Sequence, residues 1–369
     1  MDYEKYDVDL MLFRREGFFL GLVPECVNIF DGGADYRHFD GSLASGFLYF
    51  LKKGKPGLAA SRLRYAAAIR KVKSPGKSRL VWNLLSKNLP RLEKEYDAAI
   101  GYLEGNSIYY CVDKTKAKKK IGYIHSDYSK LNPDIVFDTA YFEKLDRLVA
   151  VSGECARNLV KIHPAAADKT TVIENIVSKA EIEKLAGSEP VFDESYRGLK
   201  LLTVGRLSPE KGIDLAVEAC RNLLDKGVDL RWHIVGDGPL RNELEGLAKN
   251  AGIERDFLFL GRQTNPYKYM AQCDIYVQPS RYEGKSIAVD EAKILAKPIV
   301  CAEFSTVRDQ IEDGVTGLIA GMDAASLADK IKRLADNPGL REKLNANLRE
   351  KAAGNENEIE KFYALLNEN

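Results

Sequence analysis

The sequence predicts an α/β protein made of two domains, each a parallel sheet wound with helices on both faces. Three observations carry this. Its 369 residues exceed the size at which a single hydrophobic core keeps growing. The second half alternates short apolar runs with amphipathic helical stretches five or six times. The first half offers six further strand candidates compatible with the same architecture.

In the second half, KLLTVG (200–205) is an apolar run closed by Gly. Asp214 to Lys226 then has helical apolar spacing through Leu215, Val217, Ala219, Cys220, Leu223 and Leu224. RWHIVG, the turn Asp-Gly-Pro and a helix over Leu240 to Ala251 follow. The alternation continues through DFLFLG, a helix around Tyr267 to Cys273, DIYVQP, a helix over Ile287 to Ala296, PIVCA, a helix around Val307 to Glu312, and GLIA. In such sheets ligands bind outside the carboxyl ends of the strands. The first-half strand candidates are DVDLMLF, CVNIF, AAIGYL, KIGYIH, RLVAVS and TTVIEN. Charge, Gly-Ser and Pro make Lys179 to Gly198 the expected linker, and a last helix is expected over 357–369 after a polar break at Gly354. The domains are therefore set at 1–180 and 181–354, with a C-terminal helix over 355–369. The chain opens on polar MDYEKY and passes at once into a strand, which leads to the expectation of a missing unit upstream.

Composition narrows the function classes. No apolar run approaches the roughly 20 residues of a membrane-spanning helix, and no signal peptide is visible. Six cysteines lie far apart without a C-x-x-C pair, as expected of reduced, mostly buried thiols in a cytoplasmic protein. His38, His163 and His233 lack ligand spacing and read as structural. The net charge of +1 conceals an asymmetry: residues 1–180 hold 29 Lys and Arg against 22 Asp and Glu, the remainder 26 against 32. Between Leu51 and Leu92 stand twelve basic residues and no acidic one, interleaved with apolar positions. That segment reads equally as a solvated helical face or as a basic amphipathic surface for an anionic membrane. Few aromatics accompany the charges, so no nucleic-acid partner is expected.

The stretch PSRYEGKS (279–286) differs from a P-loop signature only at its first residue. Pro279 has no N–H to offer a phosphate, no Gly lies between it and Gly284, and Glu283 would repel the anion, so an ATPase is rejected. VGDGP (235–239) lacks the third Gly of a dinucleotide fingerprint, which makes NAD a poor ligand. A helix starting near Ser286 places the N–H groups of residues 285–288 at the cleft, a seat for phosphate, with Glu283 and Glu291 on either side to accept from hydroxyls. Hydroxyls on both sides of a diphosphate describe a nucleotide sugar. On this pattern alone, an acidic loop before an ordinary helix remains the heavier reading. VGRLSPEKG (204–212) changes that weight, because Arg206 and Lys211 stand at a strand's carboxyl end at the same sheet edge as Glu283, a suitable pair for a diphosphate.

These motifs, with IVGDGP, FLG, DIYVQPSRYEG and EDGVTGLI, and more weakly YIHSD, VAVSGECARNL and VIENIVS, resemble the retaining glycosyltransferases of family 4, polysaccharide-biosynthesis type. That family has a GT-B fold, two Rossmann-like domains facing a cleft, and two glutamates separated by seven residues. The resemblance implies that Arg206 and Lys211 bind the donor diphosphate and stabilise it as it leaves. It implies that Glu283 faces the donor sugar, that Gly284, Lys285, Ser286 and Ile287 donate backbone N–H groups, and that Glu291 holds the ribose. Arg262 and Gln263 match positions near the base, and His125 one near the reacting centre. Two departures stand out. Lys285-Ser286 replaces the usual Phe-Gly, which suggests an added phosphate contact from Lys285, and the chain is expected to start after the family's first strand and Gly-rich loop.

The implied activity is transfer of a sugar, with retention, from a nucleoside diphosphate sugar, expected to be a UDP-sugar, to a lipid-linked or glycan acceptor in surface polysaccharide or glycolipid synthesis. No cofactor or metal is expected, since Arg206, Lys211 and the helix terminus meet the developing charge and no D-x-D motif stands in a metal-donor setting. The expected location is cytoplasmic, at the inner membrane face. A nucleotide-binding GT-B protein with little turnover, or a sugar-nucleotide epimerase of the same fold, are the alternatives.

Overall fold

The computed structural model describes residues 1–70, 77–131, 133–187 and 189–368. Its strands form three sheets, all parallel. β1 (Asp9–Leu12) and β2 (Asn28–Asp31) pair only with each other. β3 (Glu95–Gly101), β4 (Lys116–Ile124), β5 (Arg147–Ala150) and β6 (Thr170–Val172) lie side by side in chain order. β7 (Leu199–Val204), β8 (Leu230–Val235), β9 (Phe257–Gly261), β10 (Ile275–Gln278), β11 (Ile299–Ala302) and β12 (Leu318–Ala320) take the order β12-β11-β10-β7-β8-β9. Every strand expected from the sequence is present.

The third sheet folds as the apolar runs dictate. β10 and β11 are buried at every residue, the signature of parallel strands covered on both faces. The helix Ile213–Asp225 buries Ile213, Ala216, Val217, Cys220 and Leu223, one stripe at 3.6-residue spacing, against Trp232, Ile234 and Val277. Leu202, Tyr276 and Cys301 form the opposite face with Val289 and Phe304. The order has a consequence for function: chain direction across the sheet reverses between β7 and β10, so the crevice at this switch point opens at their carboxyl ends.

The first domain packs its helices around Phe39, Phe50, Trp82, Ile108 and Ile124. Its sheet is interrupted: β1 does not pair with β3, and the two are joined at their starts by side chains. There the Asp9 carboxylate accepts from Lys94 Nζ and the Tyr96 hydroxyl, both at 2.9 Å. The basic segment forms the helices Pro56–Arg70 and Lys77–Leu85, with 71–76 outside the described residues. Ala59, Arg62, Tyr65 and Ala68 face inward, while Leu63, Ile69 and Leu80 are exposed, as are Leu48 and Leu51 of the helix Leu43–Lys52.

The segment expected to be a plain linker opens with the helix Lys179–Ala186, whose Ile182 packs on Ile294 of the second domain. Ser178 caps it by accepting from Glu181 N–H. The last helix, Glu358–Asn367, returns to the first domain, placing Leu365 and Phe362 against Tyr123 and Ile173. Lys119 Nζ donates to the Leu365 carbonyl at 2.9 Å.

Candidate active site

The loops leaving β7 and β10 meet at the switch point. Gly212 makes this possible: its φ is +63°, and a Cβ there would lie 2.1 Å from the Pro279 carbonyl oxygen. Arg281 ties the loops further, its NH1 donating to Asp214 Oδ1 at 2.8 Å and to the Pro209 carbonyl at 2.9 Å. Lys211 and Glu283 are thereby brought together. Lys211 Nζ lies 2.7 Å from Glu283 Oε1 and 2.9 Å from Oε2. Ser280 Oγ and Gln278 Nε2 also donate to Oε1, at 2.7 and 3.2 Å. The carboxylate is thus held in place by three donors, one from the β7 loop, one from the β10 loop and one from the end of β10. Arg206 stands exposed on the β7 loop, with no ion pair among the described residues.

Beyond Glu283 the chain enters the helix Ile287–Ile294. The Ser286 backbone is occupied: its N–H donates to Gln310 Oε1 at 2.9 Å, and its carbonyl accepts from Gln310 Nε2 at 2.8 Å. Lys285 is engaged as well. Its ammonium pairs with Glu174 of the first domain and lies 3.5 Å from Asp290, with the side chain only 9% exposed. One helical turn on, Glu291 accepts from the Tyr267 hydroxyl at 2.9 Å. Burial pushes the Glu291 carboxyl above its usual range, opposed by that hydrogen bond and reinforced by Asp290. Arg262 Nε lies 3.8 Å from Asp237 Oδ2 at the crevice rim, and Gln263 Nε2 donates to the Leu260 carbonyl at 2.9 Å.

The first domain closes directly on this loop. A Cβ at Gly284 would fall 1.9 Å from the His125 carbonyl oxygen, so only a residue without one fits. Ser152 Oγ donates to the Gly284 carbonyl at 2.9 Å, Ser305 Oγ to Asp127 Oδ2 at 2.5 Å, and Glu154 N–H to Asp309 Oδ2 at 3.0 Å. Asp127 is fully buried and accepts also from Ser129 and Asn158. His125 N–H donates to Glu104 Oε2 at 2.8 Å. Burial holds the His125 imidazole below its usual range, with the Glu104 charge opposing, so the ring is neutral near pH 7.

Glu283, Gly284, Lys285, Ser286 and Ile287 thus lie on the loop that meets the loop of Lys211 and Arg206, and the His125 backbone abuts them at Gly284 while its ring packs on Tyr102 and Tyr123. Glu291, Arg262 and Gln263 lie farther along the second domain. Tyr267, Gln310, Glu174 and Glu104 belong to the same surroundings and went unremarked in the sequence. A carboxylate cannot be matched to partners tens of residues away without the fold. Only YLEG, directly after the strand AAIG, offered a local signal for Glu104.

Residues 193–351 match the family model described as glycosyl transferases group 1. The chain is 28% identical over 258 residues to the Staphylococcus aureus poly(ribitol-phosphate) alpha-N-acetylglucosaminyltransferase, covering 68% of this chain and 47% of that protein. It is 27% identical over 248 residues to a Campylobacter jejuni N-acetylgalactosamine-N,N'-diacetylbacillosaminyl-diphospho-undecaprenol 4-alpha-N-acetylgalactosaminyltransferase, covering 67% and 66%. The chain therefore spans less than two thirds of the length of either relative. Among solved structures, Anabaena HepE in complex with UDP and glucose superposes with a TM-score of 0.67 at 16% identity, over 97% of this chain and 91% of that one. The fold is GT-B.

Proposed function

The chain belongs, through residues 193–351, to the glycosyl transferases group 1 family, and on that premise we propose that it transfers a sugar from a UDP-sugar to a lipid-linked or glycan acceptor with retention at the anomeric carbon. The observation that supports this reading is the Lys211–Glu283 pair at the switch point, with the exposed Arg206 on the same loop as Lys211 and the first-domain His125 backbone abutting Gly284 next to the pair. A cation and a carboxylate held on two loops match the two ends of a nucleotide sugar, the diphosphate and the sugar hydroxyls. Arg206 and Lys211 meet the negative charge that grows on the departing diphosphate, worth most where it develops. Because these cations supply the charge, the proposed reaction needs no metal, and a chelator is expected to leave the rate unchanged. The two curated relatives, named for transfer to poly(ribitol-phosphate) and to a diphospho-undecaprenol glycan, support the acceptor class.

Among the described residues no helix is long and apolar enough to cross a membrane. Contact with an anionic membrane surface, at the cytoplasmic face, is assigned to the helices of residues 43–85. There Leu48, Leu51, Leu63, Ile69 and Leu80 are exposed among Lys52, Lys53, Arg64 and Arg79. Cosedimentation with vesicles that is indifferent to anionic lipid would remove that assignment. The transfer itself is tested by incubating the protein with a panel of UDP-sugars and a glycan acceptor. UDP release with an axial product linkage from an axial donor supports it, and an inverted linkage or C4-epimerised donor would overturn it.

A further inference from the structure

Resting on the transferase reading, we propose that Gln310 is a positioning residue for the donor, holding the 283–287 loop so that its free N–H groups meet the sugar-side phosphate. The segment that carries it, residues 303–310 after β11, is fixed by its own core contacts. Phe304, Val307 and Ile311 are buried with Val289 of the helix Ile287–Ile294. The short turn Val307–Asp309 brings Thr306 and Gln310, four residues apart, to the same side, where the donor loop lies. There Thr306 Oγ1 donates to the Glu283 carbonyl at 3.1 Å. Gln310 takes both sides of Ser286: its Oε1 accepts from the N–H at 2.9 Å and its Nε2 donates to the carbonyl at 2.8 Å. Thr306, Gln310 and Ser286 are all buried.

A two-point amide contact fixes direction as well as distance. With the Ser286 N–H drawn back onto Gln310, the rotation of the loop is set, and with it the aim of the neighbouring groups. The N–H groups of Gly284, Lys285 and Ile287 have no acceptor among the described residues. Since Glu283 faces the sugar on the transferase reading, the N–H groups next to it serve the phosphate on the sugar side. The holding segment is also tied to the first domain, where Ser305 Oγ donates to Asp127 and Asp309 accepts from the Glu154 N–H. Gln310 is therefore a fixed reference that does not drift with the loop it holds. A neutral amide suits this place, because Glu would lose the donor to the Ser286 carbonyl and add a negative charge beside a phosphate.

The test is calorimetric titration of the whole chain with UDP and with UMP, which differ by the sugar-side phosphate, with thermal melting to confirm folding. The parent is expected to prefer UDP. Gln310→Met keeps the chain length and removes both hydrogen bonds, so UDP affinity should fall about tenfold, the size of a lost buried hydrogen bond, while UMP affinity stays unchanged. Gln310→Glu should lose UDP affinity at least as far. Thr306→Val, close to isosteric, should give a smaller loss with the same bias toward UDP, and it carries the test if the Gln310 variants do not fold. Unchanged UDP affinity in the folded variants, or equal losses for UDP and UMP, overturns the assignment, as does a parent that binds the two nucleotides equally. Failure of the parent to bind UDP contradicts the transferase reading itself.

Discussion

Lys211 Nζ bridges both carboxylate oxygens of Glu283, at 2.7 and 2.9 Å, across the switch point between the loops that leave β7 and β10. On the proposed reading, the cation for the diphosphate is thus already paired, in the free protein, with the carboxylate for the sugar. Donor binding must share or break this pair. Glu283→Gln frees Lys211 and removes a repulsive charge, so UDP is expected to bind about three- to tenfold more tightly. Transfer from the intact UDP-sugar is expected to fall in the same variant. Calorimetry and a rate assay read the two effects, and weaker UDP binding in Glu283→Gln would contradict this account of the pair.

Arg206 has no such partner among the described residues. The proposed transfer assigns it a role in the transition state, as charge builds on the departing diphosphate. Arg206→Ala should lower kcat by about 10²- to 10³-fold while moving KM far less. Equal losses in binding and turnover would place Arg206 in ground-state recognition instead.

Glu291 carries a pH dependence. Burial raises its carboxyl above the usual range, so the folded state favours the protonated form more than the unfolded state does. Its contribution to stability is therefore full below the ordinary carboxyl range and is lost as pH rises through the raised value. Glu291→Gln should abolish that loss and be relatively more stable above it, as denaturant titrations at stepped pH would read. If Glu291 holds the ribose as proposed, its carboxylate is needed, and UDP affinity should fall on acidification at a higher pH than an ordinary carboxyl predicts. Tyr267→Phe removes the hydroxyl at 2.9 Å and should move both windows upward. Identical pH profiles in Tyr267→Phe and the parent would show that the hydrogen bond does not tune this group.

Gly284 sets how closely the domains meet. An added methyl would fall 1.9 Å from the His125 carbonyl, and backbone on both sides cannot yield cheaply. Gly284→Ala is expected to hold the cleft open, with a larger radius of gyration in solution scattering. Transfer should be lost while UDP binding, built mainly from the second domain, is largely kept. An unchanged scattering profile with full activity would contradict the closed arrangement.

Lys285, suggested by its sequence position as a phosphate contact, spends its charge on Glu174 and Asp290 instead. It ties the donor loop to the end of the first domain, where Asn355 also donates to Glu174. With the Lys285 side chain 9% exposed, removing it leaves two carboxylates facing each other, at a cost of about 1–3 kcal/mol. In a cycle of Lys285→Met and Glu174→Gln, the two destabilisations should be strongly non-additive. Additive values would show that the pair does not couple the domains.

Much of the fold was legible because parallel strands buried on both faces read as plain apolar runs, and β10 and β11 are the clearest cases. Arg206, Lys211 and Glu283 were legible as loop residues at strand ends. What stayed hidden depends on distance in the chain. Glu174 stands 111 residues from Lys285, and Gln310 stands 24 from the Ser286 backbone it caps. The helix Lys179–Ala186 hid in a charged stretch that read as linker, although Ser178 supplied its cap. The separation of β1–β2 from β3 follows from pairing, which local periodicity does not encode.

The central claim is that the switch-point crevice holds a nucleoside diphosphate through Arg206 and Glu291. Calorimetric titration with UDP, GDP and ADP, repeated on Arg206→Ala and Glu291→Ala, tests it most directly. Selective binding of UDP is the predicted result, weakened by Glu291→Ala and also by Arg206→Ala, because free UDP carries the full diphosphate charge that the intact donor lacks. Absence of binding by all three nucleotides, or UDP binding untouched by either change, would contradict it.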